Sequence, residues 1–224
     1  MGPWDIMSQH FIERRRPPQG ISSFTKIRLG WISPDQVTLV NPGATQTVFL
    51  APLSKGGRTL AVKIPLSGRW SGGRRYYLVE NRQPIGYDRL LPDCGILVLE
   101  VNPDVREGSG TVKVVDADPA SPYFSHATFR LDRNRRNTFI DKKQNVAIIP
   151  LWPDKGTLGV LITTPEKAPD ALRTALTIQQ LLKRFPEPRG AGEQKAIEES
   201  IASFKRSDFK TCREIAQQRL ERAW

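Results

Sequence analysis

Histidine, the commonest ligand of catalytic zinc, is scarce in this sequence. The protein contains two histidines, His10 and His126, which lie far apart along the chain. A catalytic zinc site takes three protein ligands and keeps a further position open for water. Because there is no HExxH segment and only this distant pair of histidines, the chain is not expected to build such a zinc centre itself. We interpret His126, in YFSHATF, as a hydrogen-bonded loop histidine.

Three aspartates are candidates for a different kind of metal site. Asp116 and Asp118 lie in VVDADP, and Asp141 ends NTFID, all near the ends of predicted strands. Calcium takes six to eight oxygen ligands, and carboxylates are typical donors, so these residues define a calcium hypothesis. Their spacing does not match an EF-hand loop. The alternative is that they are ordinary turn and cap aspartates.

The two cysteines, Cys94 and Cys212, lie in different regions and form no metal-binding or redox motif. The spacing is compatible with one disulfide and equally with two free thiols.

The chain is strongly basic, with 34 Lys and Arg against 23 Asp and Glu and a net charge of +11. A positive surface attracts acidic partners and membrane surfaces without specificity. The basic residues form two clusters, Arg14–Arg16 and a second set of Arg130, Arg133, Arg135, Arg136, Lys142 and Lys143. Neither cluster is interleaved with aromatic residues that would stack on bases, so no nucleic-acid partner is expected. No apolar run is long enough to predict a membrane span, and the first residues do not resemble a signal peptide.

The stretch YYLVENRQPIGYDRLLPDCGILVLEV is the centre of the predicted fold. Its ends, Tyr76–Val79 and Gly95–Val101, are rich in β-branched and aromatic residues and predict two buried strands. A polar loop is predicted between them, containing Glu80, Asn81, Arg82, Tyr87 and Asp88. Arg82 is the nearest ion partner for Glu80. We interpret these charges as capping and solvating the loop, where an ion pair contributes little.

Short strands separated by Gly, Pro, Asn and Asp predict a mainly β fold. The seven predicted strands are Gln46–Pro52, Thr59–Ile64, Tyr76–Val79, Gly95–Val101, Thr111–Asp116, Asn145–Leu151 and Leu158–Thr163. This number and spacing favour an antiparallel β-sandwich over residues 45–164. A closed barrel is the nearest alternative.

Helices are predicted on both sides of the strands. Ser22 or Ser23 is expected to cap a short helix through Leu29, with Gly30 after its end. We predict that residues 166–224 form an accessory helical segment with no catalytic residues. Its predicted helices are Asp170–Arg184, Glu193–Phe204 and Asp208–Ala223. The last two are separated by a short turn and predict a helical hairpin.

Three segments together resemble one protein family. In chain order they are GPWDIMS, PPQGISSFTKIRLGWI and YYLVENRQPIGYDRLLPDCGILVLEVN. This order resembles the secreted zinc metalloproteases of the immune inhibitor A type, over roughly residues 2–164. The resemblance implies that an HExxH motif lies upstream in the parent protein, where zinc and a glutamate activate water for peptide hydrolysis.

The resemblance also implies roles for residues near the start of the chain. WDIM is similar to the Met-turn that lies beneath the zinc in metzincin-like proteases, so Trp4 and Met7 would be structural Met-turn residues. His10 would be placed to polarise the substrate carbonyl; the alternative is a surface or hydrogen-bonded histidine. Residues 1–34 would then be the C-terminal remnant of an α/β catalytic domain, before the sandwich and the hairpin.

The resemblance therefore implies the non-catalytic C-terminal portion of a secreted zinc metalloendopeptidase, inactive by itself. The parent would be extracellular, would bind zinc and would act on protein or peptide substrates. Either the chain is a fragment of a longer product or it descends from a protease that lost catalysis. The rival function is a stand-alone sandwich that binds carbohydrate or protein, for which Trp70 and Trp152 are the candidate contact residues.

Overall fold

The structure of the chain, a computed structural model, describes residues 1–8, 18–67, 74–106, 108–132, 137–187 and 190–221. Within these ranges there are nine strands in two sheets and four α-helices. The strands are β1 (Val37–Leu39), β2 (Gln46–Leu50), β3 (Ala61–Pro65), β4 (Tyr76–Arg82), β5 (Gly95–Val101), β6 (Val112–Val115), β7 (Phe139–Asp141), β8 (Val146–Asp154) and β9 (Thr157–Thr163). The helices are α1 (Ser23–Arg28), α2 (Ala168–Arg184), α3 (Ala191–Lys205) and α4 (Phe209–Glu221).

The two sheets differ in topology. The first sheet has the order β1-β3-β4-β5-β6, and the second has the order β2-β9-β8-β7. All pairings are antiparallel except that of β1 with β3, which is parallel. A parallel neighbour requires a longer connection than a hairpin. Along the chain, β2 comes between β1 and β3 but belongs to the second sheet, so the chain crosses to the second sheet and back before β3 pairs with β1.

The main hydrophobic core lies between the two sheets, which pack face to face. It is formed by alternate residues of the central strands, including Ile64, Val79 and Val98 from the first sheet and Ile148 and Ile162 from the second. Alternate residues of a strand point to opposite faces, so the same strands have a second set of apolar residues on their outer faces. Both outer faces are covered.

Helices cover the outer face of the second sheet. Ile149, Leu151 and Trp152 of β8 pack with buried residues of α2, α3 and α4. The centre of the Phe204 ring lies 5.2 Å from the ring centre of Trp152 and 5.2 Å from that of Phe209. Strand β8 is therefore buried on both faces from Val146 to Trp152. Burial on both faces explains why this part of the strand is almost entirely apolar.

The segment that precedes the strands covers the outer face of the first sheet. Trp4 is fully buried there with Leu78 of β4 and Leu97 and Leu99 of β5. Phe24 and Ile27 of α1 pack against the same cluster, as part of its half-buried margin. Ser22 caps α1 by accepting a hydrogen bond from the Thr25 amide at 3.4 Å, although this bond is long.

All seven predicted strands are confirmed, with shifts at their ends, and the four helices lie where the sequence predicts them. Two short edge strands, β1 and β7, were not predicted, because three residues give no clear period. Within the described residues, no helix combines the length and apolar composition needed to cross a bilayer.

Candidate functional site

Strand β4 directs Glu80 and Arg82 to the outer face of the first sheet. Leu78, two residues earlier, packs in the cluster on that face, and residues i, i+2 and i+4 of a strand share a face. Both charged side chains are completely buried. The interpretation of Glu80 and Arg82 as solvated loop charges is therefore wrong: the strand continues through Arg82, and the preceding segment of the chain covers them.

Arg82 makes a bidentate ion pair with Asp88. Its Nε donates to Asp88 Oδ2 at 3.0 Å, and its Nη2 donates to Asp88 Oδ1 at 2.8 Å. Asp88 lies in the 3₁₀ turn Gly86–Leu90 and is 1% exposed. A planar guanidinium that donates two parallel bonds fixes both distance and orientation, so this pair holds the 3₁₀ turn against the end of β4.

The remaining Arg82 nitrogen binds two further groups. Nη1 donates to Glu80 Oε1 at 2.9 Å and to the backbone carbonyl of Trp4 at 2.9 Å. Burial alone would lower the pKa of Arg82, but Glu80 and Asp88 together outweigh it and raise this pKa. The guanidinium is therefore a permanent cation that joins β4, the 3₁₀ turn and the residues around Trp4.

Glu80 also contacts the start of α1. Its Oε2 accepts the backbone N–H of Ser23 at 2.7 Å, and a carboxylate is favoured at a helix N-terminus, where amide groups lack partners. Lys26, on the next turn of α1, donates to the Leu53 carbonyl at 2.8 Å. Burial lowers the pKa of Lys26, while Asp88 and Glu80 act in the opposite direction. Two buried carboxylates thus have two nearby cations.

A third buried carboxylate, Asp5, fixes the turn that contains Met7. Its Oδ1 accepts the Met7 amide at 2.9 Å. Its Oδ2 accepts the Ser22 amide at 3.0 Å and the Thr25 hydroxyl at 2.9 Å. The Ser22 hydroxyl donates to the same oxygen. One side chain therefore joins the turn to the N-terminal end of α1.

The consequence is a rigid turn with one exposed apolar side chain. Trp4 is fully buried, and its indole N–H donates to the Phe124 carbonyl at 2.8 Å. Asp5 is 4% exposed, yet Met7, two residues later, is 73% exposed. We call residues 4–8 the Met7 turn. The residues that anchor it are buried, and the methionine is displayed on the surface.

The buried cluster of Glu80, Arg82 and Asp88 is suited to holding chain segments in place rather than to acid–base chemistry. Both oxygens of Glu80 and both of Asp88 accept hydrogen bonds inside the protein. A general base must reach the proton it abstracts, and these carboxylates are covered by the Met7 turn and α1. What they do is hold the Met7 turn, α1 and the 3₁₀ turn in one arrangement on the first sheet.

Several residues singled out from the sequence lie outside the described residues: His10, Trp70, the basic cluster Arg14–Arg16, and Arg133, Arg135 and Arg136 of the second basic cluster. His126 is described: its Nδ1 lies 2.8 Å from the Ser121 hydroxyl, and it is 3.7 Å from Asp118 Oδ2. The interpretation of His126 as a hydrogen-bonded loop histidine is confirmed.

The three aspartates of the calcium hypothesis have local partners. Asp116 Oδ1 accepts the amide of Asp118 at 3.0 Å, and Asp118 Oδ2 accepts the Ser121 hydroxyl at 2.8 Å. Asp141 Oδ2 accepts the Tyr77 hydroxyl at 2.8 Å. In the described part of the chain, no three His, Cys, Asp or Glu side chains are grouped so that they could hold a metal ion. Calcium at Asp116, Asp118 and Asp141 stays a prediction without a formed site.

The cysteines and Trp152 also have defined positions. Cys94 and Cys212 are both free thiols, the first half-buried and the second buried in α4. Trp152 is 2% exposed and packs against Phe204. The suggestion that Trp152 offers a flat surface to a sugar is therefore wrong.

Comparison with models of protein families, with curated proteins and with solved structures finds no match to this chain. The site is accordingly described from its own geometry. Sequence reasoning predicted Ser22 or Ser23 as the helix cap but missed the role of Asp5, which accepts hydrogen bonds from Ser22, and the burial of Glu80 and Arg82. The available signal was the alternation Leu78, Glu80, Arg82, in which two opposite charges follow an apolar residue on one strand face.

Proposed function

We propose that this chain is the non-catalytic C-terminal portion of a secreted zinc metalloendopeptidase of the immune inhibitor A type. In this proposal the Met7 turn completes the floor beneath the zinc site of a metal-bearing portion, and the sandwich supports the peptide substrate. Residues 1–34 would belong to the catalytic domain, and α3 with α4 would form an accessory hairpin. Peptide hydrolysis would be carried out by the other portion, where zinc would supply the activated water.

The observation that carries the proposal is the contrast between Met7 and its neighbours. Burying a methionine is worth roughly 1.5–3 kcal/mol, and Met7 is 73% exposed although its neighbours Trp4 and Asp5 are buried. Asp5 holds the Met7 amide in place. A methionine that packs beneath a metal site needs a rigid turn that leaves its side chain exposed. The Met7 turn has both features.

The proposal predicts that the coding sequence upstream of Met1 continues in frame and encodes HExxH. The chain by itself is expected to bind no zinc at one equivalent and to leave casein uncleaved. Finding one equivalent of zinc together with casein cleavage would overturn this assignment, as would an upstream frame without the motif.

A variant tests the role of Met7 directly. In this chain alone, Met7→Ala should change the free energy of unfolding by no more than about 0.5 kcal/mol, because the side chain is exposed. In a polypeptide that includes the metal-bearing portion, the same change should lower the melting temperature and weaken zinc retention. Leu39→Ala, at a similarly exposed site of β1, is the matched control and should do neither.

His10→Ala in the longer polypeptide tests whether His10 polarises the substrate carbonyl. Unchanged turnover would refute that role.

A further inference from the structure

The 3₁₀ turn Gly86–Leu90 and the residue before it display three exposed apolar side chains. Tyr87 is 71% exposed, Ile85 is 41% exposed and Leu90 is 40% exposed. Residues three apart in a 3₁₀-helix lie on the same side of it, so Tyr87 and Leu90 share one side of the turn. We call Ile85, Tyr87 and Leu90 the Tyr87 patch. Single exposed apolar residues are ordinary on a protein surface, whereas a contiguous group of them is typical of an interaction site.

The turn that carries the Tyr87 patch is firmly held. Asp88 lies between Tyr87 and Leu90 in the sequence, yet its side chain is buried in the bidentate pair with Arg82. The Asp88 amide also donates to the Ile85 carbonyl at 3.0 Å. A surface that is ordered before contact loses less conformational freedom on binding, so the patch is already prepared for a partner.

The carboxylates next to the patch point inward, and a cation is left outside. Asp88 is 1% exposed, and Asp93 is 8% exposed, accepts the Thr128 hydroxyl and pairs with Arg130. Arg89 is exposed and has no ion partner among the described residues. Over residues 83–94, the chain therefore offers solvent an apolar patch and a positive charge.

The neighbouring loop adds positive charge at the same end of the first sheet. Backbone hydrogen bonds hold residues 51–60 beside the end of β4. Lys55 and Arg58 of this loop are exposed and have no ion partner in the described part of the chain. The segment before β1 is bonded to the loop and contributes an exposed carboxylate, Asp35. With Arg89, three cations outweigh this one carboxylate.

A surface of anionic lipid matches these features better than a protein partner does. Tyrosine has an apolar ring and a polar hydroxyl and is enriched where lipid headgroups meet the apolar layer. Lys and Arg side chains are attracted by acidic headgroups. A stable protein interface buries about 800 Å² on each partner, which is more than three partly exposed side chains of one turn supply. Shallow insertion into a bilayer needs no partner of complementary shape.

We propose that the Tyr87 patch inserts into the interface of a membrane rich in anionic lipid. Ile85, Tyr87 and Leu90 enter the boundary between headgroups and acyl chains, while Arg89 and the basic loop beside it contact the headgroups. The net charge of +11 adds a longer-ranged attraction to the same surface.

This inference goes beyond the proposed function and uses a different surface. The Tyr87 patch lies at the end of β5 where Gly95 pairs with Arg82 of β4. Met7 lines a cleft with Gly108 and Gly110 of the hairpin between β5 and β6, which lies at the other end of β5. A metal-bearing portion seated on the Met7 turn would therefore leave the patch accessible.

Co-sedimentation of the full chain with lipid vesicles tests the proposal. Vesicles of phosphatidylcholine alone are compared with vesicles of phosphatidylcholine and phosphatidylserine in equal parts. We expect binding to the mixed vesicles to be about tenfold tighter or more, because each Lys or Arg near an anionic surface contributes about fivefold. Added salt should weaken this binding, since it screens the charges. No binding to the mixed vesicles, or equal binding to both kinds, would overturn the proposal.

A pair of isoleucine variants tests insertion of the patch. Ile85→Ser should weaken binding to the mixed vesicles by about threefold or more, because the strength of interfacial binding follows the apolar area that is buried. Ile140→Ser is the matched control: Ile140 lies in β7 of the second sheet and is also 41% exposed. It should leave the affinity unchanged. Equal losses for the two variants would overturn the patch as the point of contact.

A pair of arginine variants separates this contact from general attraction to a basic protein. Arg89→Glu and Arg173→Glu each replace one positive charge by one negative charge, so the overall attraction falls equally. Arg173 lies in α2, on the cover of the second sheet, and is 72% exposed. We expect Arg89→Glu to weaken binding to the mixed vesicles by about fivefold or more, beyond the effect of Arg173→Glu. Equal effects of the two variants would overturn the orientation that places Arg89 against the headgroups.

Discussion

Arg82 joins three separate parts of the chain. It binds Glu80 on its own strand, Asp88 in the following turn and the Trp4 carbonyl from the start of the chain. A buried ion pair gains little over an apolar replacement of the whole pair, but removing one partner leaves an uncompensated charge. The stability effect of a single substitution is therefore large.

Arg82→Met is expected to lower the free energy of unfolding by about 3–5 kcal/mol. The reason is that Glu80 and Asp88 would stay buried without their guanidinium. Urea unfolding followed by circular dichroism measures the change. Arg75→Met is the control, because Arg75 pairs with Glu100 on the same sheet but is 37% exposed, and we expect about 0–1 kcal/mol there. Equal losses in the free energy of unfolding for the two variants would show that the buried Arg82 cluster stabilises the fold no more than an exposed ion pair does.

Cys212 should behave as an inert thiol in the folded protein. Burial raises the pKa of Cys212 from its ordinary value of 9.0 to about 12, and its side chain is fully buried. With Ellman's reagent at pH 8, we expect no more than one thiol, Cys94, to react in the native protein and both to react in denaturant. Rapid labelling of both thiols in the native state would show that α4 is not stably docked.

The same thiol contributes a pH dependence of stability. Between about pH 9 and 12 the unfolded chain loses the Cys212 proton while the folded chain keeps it, so stability falls as pH rises. Tyr76 and Tyr77 act in the same direction, since burial raises the pKa of each and the Asp141 hydrogen bond adds to the effect at Tyr77. Melting temperatures from pH 7 to 11 should decline, and Cys212→Ala should make that decline shallower. A parallel decline in both proteins would contradict the assignment to Cys212.

At the scale of elements, the strands could be predicted because short runs of apolar and β-branched residues are separated by turn residues, and the longest runs of the first sheet, β4 and β5, are buried at nearly every position. The end of β4 was misassigned because a charged pair after YYLV is typical of a loop. Only tertiary contacts distinguish this case: Trp4 and Ser23, more than fifty residues away in the chain, supply the partners that make burial of Glu80 and Arg82 possible. Propensity within a short window contains no information about such partners.

The segment before α1 approaches the Arg82 cluster closely at Gly20. A Cβ added to Gly20 would lie 2.2 Å from Asp88 Oδ1, whereas one added to Gly192 in α3 meets no heavy atom within 4 Å. We expect Gly20→Ala to cost about 1–3 kcal/mol, since Asp88 must shift away from Arg82. Gly192→Ala should be neutral or stabilising by about 0.5–1 kcal/mol, because alanine favours a helix. Thermal unfolding compares the two, and a tolerated Gly20→Ala would show that this close approach is dispensable.

At the scale of the whole molecule, both outer faces of the two-sheet sandwich are covered, one by the segment containing Trp4 and α1 and the other by α2–α4. The sequence predicted the helices but not the face on which they dock. The apolar composition of β8 indicated burial on two sides, but the identity of the covering element depends on contacts between Trp152 and the distant Phe204 and Phe209.

The final prediction concerns the helices as a unit. Ending the chain after Thr163 would expose Ile149, Leu151 and Trp152, which are no more than 2% exposed in the full chain. An apolar surface of this kind promotes association, so we expect the shortened protein to bind the dye ANS, to aggregate and to show no cooperative unfolding. Phe204→Ala in the full chain is the milder companion: it should lower the free energy of unfolding by about 3–5 kcal/mol through the cavity it leaves while the protein stays folded and soluble. A shortened protein that is monomeric and unfolds cooperatively would mean that the sandwich does not need its helical layer.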